Sequence, residues 1–266
     1  MLVLAIYNLK GNEALLAREL AAVLHRTVYE ASSRVRAPGG GPSVIARFAE
    51  PQAAQEAVAL LRTRGFDTLL LGEGEIEADE RRFVVRGFEL GAEELTVESH
   101  GYRLAVRYQD VELLLRGVRI VRHEAAAPRT TRKLSLTRAA LTGGLLLTKT
   151  VRAPSPPAEE EREGFLHLYA RGTPPLAWRE AKLLYRSLGK ALLPSRHANF
   201  AQVVAELRQR CPRATYDERL ATHAGQAQLL GPTLAAGEHL DVAISVLAAA
   251  YGVTPQRSGG GGGTPL

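Results

Sequence analysis

Residues 95–108 read LTVESHGYRLAVRY, and this stretch decides what kind of fold the chain adopts. Apolar and polar residues alternate on both sides of Ser99-His100-Gly101, as they do in strands whose two faces meet different surroundings. Glycine tolerates the positive φ that a tight hairpin turn requires. The stretch therefore predicts an antiparallel hairpin, and the segment 82–210 around it is expected to be rich in strands.

The same segment carries further strand patterns and one amphipathic helix. The predicted strands are residues 83–88, 111–121, 133–136, 165–169 and 176–179, with a hairpin turn at Gly172 between the last two. Asn199 is expected to cap a helix that ends at Pro212 and has an apolar face of Phe200, Val203, Val204 and Leu207. This order of elements resembles the pleckstrin-homology-like (PH-like) barrel. The resemblance rests on element order and implies no functional residues.

The first 72 residues predict a separate α+β unit. Strands are expected at residues 2–7, 27–31, 43–48 and 67–71, with one helix capped by Asn12 and a second opened by Glu50-Pro51. The resulting order is βαββαβ, the split unit of ferredoxin-like folds. Because that fold serves binders, enzymes and oligomerisation modules, it does not select a function.

Four segments follow from these patterns. They are a ferredoxin-like unit at 1–72, a strand-rich domain at 82–212 that resembles the PH-like barrel, a helical appendage at 213–257 and a disordered Gly-rich tail at 258–266. In the appendage, helices are predicted at 217–230 and after Asp241. Residues 73–82 are interpreted as a charged linker. A second interpretation joins the strand before them and the strand after them in one sheet.

Composition predicts a globular cytoplasmic protein. Of the 266 residues, 45% are hydrophobic and 23% charged, and the single cysteine, Cys211, has no partner for an internal disulfide. No signal peptide and no transmembrane segment are expected. The heavy use of Ala, Arg and Leu favours a GC-rich bacterial genome.

Positive charge is concentrated between residues 116 and 152, where nine cationic side chains face one acid, Glu124. Such a segment attracts acidic partners. The predicted binding residues are Arg116, Arg119, Arg129, Arg132, Lys133, Arg138, Lys149 and Arg152. The alternative is a solvated face balanced in space by the acidic runs 73–80 and 159–163.

A second basic group contains Arg179, Lys182 and Arg186 beside Trp178 and Tyr185. Cations next to aromatics suit single-stranded nucleic acid, but the same pattern fits aromatics that belong to the core.

The sequence assigns no catalytic residue, metal site or cofactor, because its seven histidines are scattered without metal-ligand spacing. The leading prediction is a non-enzymatic binding or assembly module that engages an acidic protein or nucleic acid through the basic segment. One alternative is a nucleic-acid-binding or nucleic-acid-processing enzyme. Another is a structural protein that forms homo-oligomers through an exposed sheet edge.

Overall fold

A computed structural model describes residues 1–37, 40–122, 130–134, 148–152 and 160–253. They form a mixed α and β protein with several sheets. Two compact units are present. Unit 1 consists of Met1–Arg119 with the described part of Glu163–Leu266, and unit 2 is Ile120–Arg162.

The N-terminal part of unit 1 is a three-stranded antiparallel sheet with helices. Its elements are β1 (Leu2–Tyr7), α1 (Glu13–Leu24), α2 (Val28–Val35), β2 (Ser43–Phe48), α3 (Pro51–Thr63) and β3 (Asp67–Gly72). The sheet order is β2-β1-β3. Asn12 caps α1 as predicted, since its side chain accepts hydrogen bonds from the backbone of Ala14 and Leu15.

The strand predicted at residues 27–31 is wrong, because these residues begin helix α2. Thr27 and Glu30 form a capping box: the hydroxyl of Thr27 accepts from the amide of Glu30 at 3.2 Å, and the carboxylate of Glu30 accepts from the amide of Thr27 at 3.0 Å. Ala31 and Val35, four residues apart, are the buried face of this helix. The order is therefore βααβαβ, with three strands instead of the predicted four.

The predicted hairpin at residues 95–108 is confirmed. A three-stranded antiparallel sheet contains β5 (Gly87–Leu90), β6 (Glu94–Ser99) and β7 (Tyr102–Arg107) in that order. His100 and Gly101 form the turn with φ values of 47° and 85°. The strand predicted at 83–88 is interrupted at Arg86, and its first half, β4 (Phe83–Val85), belongs to a different sheet.

The central five-stranded sheet has the order β13-β8-β11-β12-β4. Its remaining strands are β8 (Val111–Arg122), β11 (Glu160–Ala170), β12 (Leu176–Arg179) and β13 (Thr215–Leu220). The predicted hairpin of β11 and β12 is confirmed, with Phe165 opposite Arg179. Two pairs, β12 with β4 and β13 with β8, are parallel.

Three C-terminal helices complete the described part of unit 1: α4 (Arg196–Arg210), α5 (His223–Leu230) and α6 (Leu240–Ala250). The predicted apolar face of α4 is buried. Three details of the predictions are wrong. Ser195, not Asn199, caps α4, α6 begins at Leu240 without a side-chain cap from Asp241, and the first residues of the predicted helix 217–230 belong to β13. No described helix has the length and apolar character needed to cross a membrane.

Unit 2 contains β9 (Thr130–Leu134) and β10 (Thr148–Arg152), which pair antiparallel. The strand predicted at residues 133–136 overlaps β9, and residues 135–136 lie outside the described chain. The predicted tail 258–266 also lies outside it.

Strands β1 and β11 are buried on both faces. Val3 and Ala5 pack in one apolar cluster with Phe165, Tyr169 and residues of α6, while the alternate residues of β1 pack against α1 to α3. The alternate residues of β11 pack with Trp178 and α4. Residues 1–72 therefore share a core with the central sheet.

Replacing Gly117 by alanine should lower the free energy of unfolding by about 2–3 kcal/mol, because overpacking a filled core forces neighbours apart. A Cβ atom at Gly117 would overlap the ring of Phe165 and lie 2.9 Å from the Cβ atom of Leu220. Urea denaturation measures the loss. Gly74→Ala is the matched control, since no neighbour lies within 4 Å of its added Cβ atom. Equal stability of the two variants would contradict close packing at Gly117.

Candidate functional site

The eight predicted binding residues lie in different parts of the structure. Arg116 and Arg119 are on β8, Arg132 and Lys133 on β9, and Lys149 and Arg152 on β10, whereas Arg129 and Arg138 lie outside the described residues. In the hairpin of unit 2, Lys133 is the register partner of Lys149 and Arg132 that of Thr150. The hairpin thus brings predicted binding residues of β9 and β10 into one paired element.

Arg116 and Arg119 point to opposite faces of the central sheet, because they are three residues apart on a strand. Arg116 is half-buried and hydrogen-bonds Tyr216, whose ring also lies 4.4 Å below the guanidinium of Arg208. Burial raises the pKa of Tyr216, and the hydrogen bond from Arg116 opposes that rise. Arg119 belongs to a separate ionic network on the other face.

Three guanidinium groups meet at the carboxylate of Asp79. Arg82 and Arg179 both contact its Oδ1 atom, Arg82 at 3.2 Å, and Nη1 of Arg119 lies 3.3 Å from Oδ2. Nη1 of Arg82 is also 2.7 Å from Oδ1 of Asp241 at the start of α6. The side chains of Arg82 and Arg179 are almost fully buried, so these charges depend on protein partners instead of water.

Glu77 is the second carboxylate of this network. Its Oε2 atom lies 3.3 Å from Nε of Arg82 and accepts a hydrogen bond from the hydroxyl of Tyr169 at 3.1 Å. Its backbone amide donates to Oγ of Ser245 in α6 at 2.9 Å. The segment after β3 is therefore fixed to the central sheet and to α6. The charged linker predicted at residues 73–82 has buried side chains in the structure.

Arg119 pairs with one acidic side chain from each of the two acidic runs in the sequence. Asp79 belongs to the run 73–80, and Glu163, whose Oε2 atom is 3.5 Å from Nε of Arg119, belongs to the run 159–163. For Arg119 the structure thus shows the balancing of charge that was the alternative to a docking role.

The environment shifts the protonation equilibria of three buried groups. Burial raises the pKa of the Glu77 carboxyl, although Arg82 and the hydroxyl of Tyr169 pull it down. Burial, together with the charge of Glu77, holds the pKa of Tyr169 well above its usual range. Burial, with Arg82 and Arg119 nearby, holds the pKa of His167 well below its usual value, so His167 stays neutral.

The contacts of this ionic network indicate a structural role, in which it joins separate parts of the fold. Each of its guanidinium groups contacts at least one carboxylate. Across the described ranges, no cluster of three or more His, Cys, Asp or Glu side chains is arranged to hold a metal ion. Local sequence patterns do not predict this network, because its members come from distant segments of the chain. In addition, acidic runs usually indicate exposed surface.

A second group of cationic side chains, outside the ionic network, lies within residues 182–196. This segment is here called the basic strip. Its cations are Lys182, Arg186, Lys190 and Arg196, and its exposed apolar residues are Leu184, Leu192 and Leu193, which are 50%, 53% and 42% exposed. No acidic residue occurs between Glu180 and Glu206. In the described structure no acidic side chain pairs with Lys182, Arg186 or Lys190.

Backbone and side-chain hydrogen bonds hold the basic strip at both ends. The amide of Leu184 donates to the carbonyl of Arg86 at 2.8 Å. At the other end the buried amide group of Asn199 accepts from the backbone of Leu193 at 2.7 Å and donates to it at 2.9 Å. The exposed leucines are consequently part of an ordered surface.

A cavity of about 480 Å³ lies beside the basic strip, with Leu184 and Arg186 on one side and residues of β5 and β6, including Phe88 and Val97, on the other. Lys182 and Arg186, two members of the second basic group predicted from sequence, lie at the surface of the basic strip. Arg179 is instead buried in the network.

The neighbouring aromatics are core residues, as the alternative interpretation had it. Trp178 is fully buried, and Tyr185 is half-buried and donates its hydroxyl hydrogen to the carbonyl of Glu180 at 2.9 Å.

Comparisons with family models, curated proteins and solved structures found no match for this chain.

Substituting Arg82 by methionine should cost about 3–5 kcal/mol of unfolding free energy at pH 8, because it leaves Glu77 buried without its main counter-charge. The loss should shrink at pH 5. Removing Arg82 raises the pKa of Glu77 further, so the folded state takes up a proton before the unfolded state does and gains stability as the pH falls.

Urea denaturation at the two pH values measures both effects. Arg103→Met is the control, since the pair of Arg103 and Glu89 at 3.2 Å is exposed and should contribute at most about 1 kcal/mol. A loss for Arg82→Met that is no larger than the control would show that the network does not hold the fold.

Replacing His167 by leucine should flatten the acid side of the stability profile. The folded protein keeps His167 neutral, whereas the unfolded chain binds a proton below its ordinary pKa of 6.5. Wild-type stability should therefore fall by about 2 kcal/mol more than that of the variant between pH 7 and pH 5. His223→Leu, at an exposed position, should keep the wild-type profile. Parallel profiles for wild type and His167→Leu would contradict a neutral buried imidazole.

Proposed function

We propose that this protein is a non-enzymatic binding module that docks on an acidic protein surface through the basic strip. The observation that carries the proposal is the combination, in one ordered surface segment, of exposed leucines with three cations, Lys182, Arg186 and Lys190, that pair with no acidic side chain of the described residues.

Leu184, Leu192 and Leu193 supply the apolar part of the contact. Covering apolar surface contributes about 25 cal/mol per Å² removed from water, and exposed apolar groups rimmed by polar residues are typical of interaction sites. The cavity between Leu184 and β5 offers a recess for a partner side chain. A partner that presents apolar side chains among its acids would thus be complementary to the strip.

Lys182, Arg186 and Lys190 supply the electrostatic part. None of the three pairs with an acidic side chain of the described residues, although Glu89 and Glu98 also line the cavity beside Arg186. Exposed cations of this kind create a local positive potential that speeds encounter with an acidic surface and orients it. The exposure of all three side chains predicts that this contribution weakens with salt.

An acidic protein fits the strip better than nucleic acid does. Binding of single strands relies on exposed aromatic side chains on which bases stack. Trp178 is buried and the hydroxyl of Tyr185 is engaged within the fold, so the strip offers leucines in their place. Leucine contacts suit the apolar side chains of a protein partner.

The basic segment 116–152 is proposed as a second docking element. Its charge contributes to the formal net charge of +6, and Arg132, Lys133, Lys149 and Arg152 belong to the paired strands of unit 2. A cytoplasmic location and a homo-oligomeric state remain proposals. The finer fold assignments, ferredoxin-like for residues 1–72 and PH-like for 82–212, likewise remain proposals.

Binding to acidic peptides tests the proposal. The intact protein is titrated with two labelled peptides of equal charge, one of glutamates alone and one with leucines among the glutamates, over a salt series. The leucine-containing peptide should bind more tightly. The triple variant Lys182→Gln, Arg186→Gln, Lys190→Gln should weaken it about tenfold or more and flatten its salt dependence.

Two controls make this test specific. The variant Lys10→Gln, Arg18→Gln, Arg213→Gln removes the same charge from exposed positions elsewhere and should keep wild-type affinity. Changing Arg129, Arg132, Lys133 and Arg138 to alanine measures the share of the basic segment. Equal losses in both triple variants, or tighter binding to single- or double-stranded nucleic acid than to either peptide, would overturn the proposal.

A further inference from the structure

A second cavity, of about 440 Å³, lies between α2 and the end of α5. Its apolar lining includes Leu24, Ala31, Ile45, Ala227 and Pro232. Cavities of a few hundred Å³ with apolar walls and a few polar groups are typical of small-molecule sites. This one is far in sequence from the basic strip and shares no lining residue with the cavity beside it.

Arg34 places a half-buried guanidinium group in the wall of this cavity. Its Nη1 atom donates to the carbonyl of Gln228 at 2.7 Å, and its Nε atom donates to the hydroxyl of Ser33 at 3.3 Å. Both partners are neutral, and no carboxylate among the described residues pairs with Arg34. Burial lowers the pKa of Arg34 because it removes part of the water around the charge.

The other charged groups of the lining offset one another. Arg26 and Glu30 form an ion pair at 3.7 Å, and the carboxylate of Glu30 is also held by the amide and hydroxyl of Thr27. These hydrogen bonds lower the pKa of Glu30, so it remains an anion that is already bound. Arg34 therefore has no oppositely charged partner in the lining of the cavity.

Gly231 leaves room for the guanidinium group of Arg34 at the wall of the cavity. The residue has a φ of 71°, and a Cβ atom there would lie 2.9 Å from Nη1 of Arg34 and 2.9 Å from the carbonyl oxygen of Val44. Only a residue without a side chain lets the backbone pass this close to the charged group. The chain after α5 and the hydrogen bond from Arg34 to Gln228 therefore fix the guanidinium at the cavity wall.

We propose that this cavity binds a small organic carboxylate with an apolar body, whose carboxylate meets Arg34 and whose body lies along Leu24, Ile45 and Ala227. A guanidinium group contacts a carboxylate with short, charge-assisted hydrogen bonds. The apolar walls exclude water from the remainder of such a ligand. Inorganic anions fit less well, since they leave the apolar walls uncovered.

Isothermal titration of the intact protein with decanoate, and with decanol as its uncharged counterpart, tests the site. Decanoate should bind wild type with one-to-one stoichiometry and about tenfold or more tightly than decanol. Arg34→Gln should remove that difference, and Arg34→Lys should retain part of it. Equal affinity of wild type for the acid and the alcohol, or no binding of decanoate, would overturn the proposal.

Two further variants locate the binding. Ala227→Phe fills the cavity without touching the charge and should abolish binding of decanoate. The strip variant Lys182→Gln, Arg186→Gln, Lys190→Gln should leave it unchanged, so that this site and the proposed docking surface are judged separately. Wild-type affinity for decanoate in folded Ala227→Phe, verified by circular dichroism, would place the ligand elsewhere and refute the proposal.

Discussion

The ionic network around Arg82 is the constraint on which the packing of unit 1 depends. A guanidinium group removed from water costs several kcal/mol unless acceptors surround it. Arg82 finds them in the carboxylates of Glu77, Asp79 and Asp241 and in the carbonyl of Glu77. These acceptors belong to the segment after β3 and to α6. The segment, the helix and the central sheet must therefore be in place together before the buried charge is satisfied.

Apolar packing around β1 and β11 complements this network. Both strands are buried on two faces, so a change in register of either would expose apolar side chains and break two clusters at once. Local sequence patterns predicted such strands and the hairpins near them, because turn residues such as Gly101 and Gly172 act over a few positions. They did not predict β13, whose parallel partner β8 is distant in sequence. Without knowledge of that partner, local patterns predict helix for residues 217–220 of this strand.

The remaining misses have physical causes that are visible in particular residues. Val28 and Tyr29 favour a strand by their side chains, but the reciprocal hydrogen bonds of Thr27 and Glu30 start a helix there. The acidic run 73–80 suggested a solvated linker, because charge in sequence usually means exposure. Glu77 is instead buried against Arg82, and Asp79 pairs with Arg119 of β8 and Arg179 of β12. The contacts of Asp79 with these strands are a long-range arrangement that no local pattern reports.

The cations of this protein differ in what surrounds them, and that difference is what a sequence cannot show. Arg119 and Arg179 are matched by carboxylates, so they stabilise the fold and offer little to a partner. Lys182 is exposed to solvent, which compensates its charge at little cost and leaves it available for a weak, salt-dependent contact. Arg34 is in neither situation, since it is half removed from water and has only neutral acceptors. A charge in that state gains the most from an added anion, because the anion replaces solvation that folding has already removed.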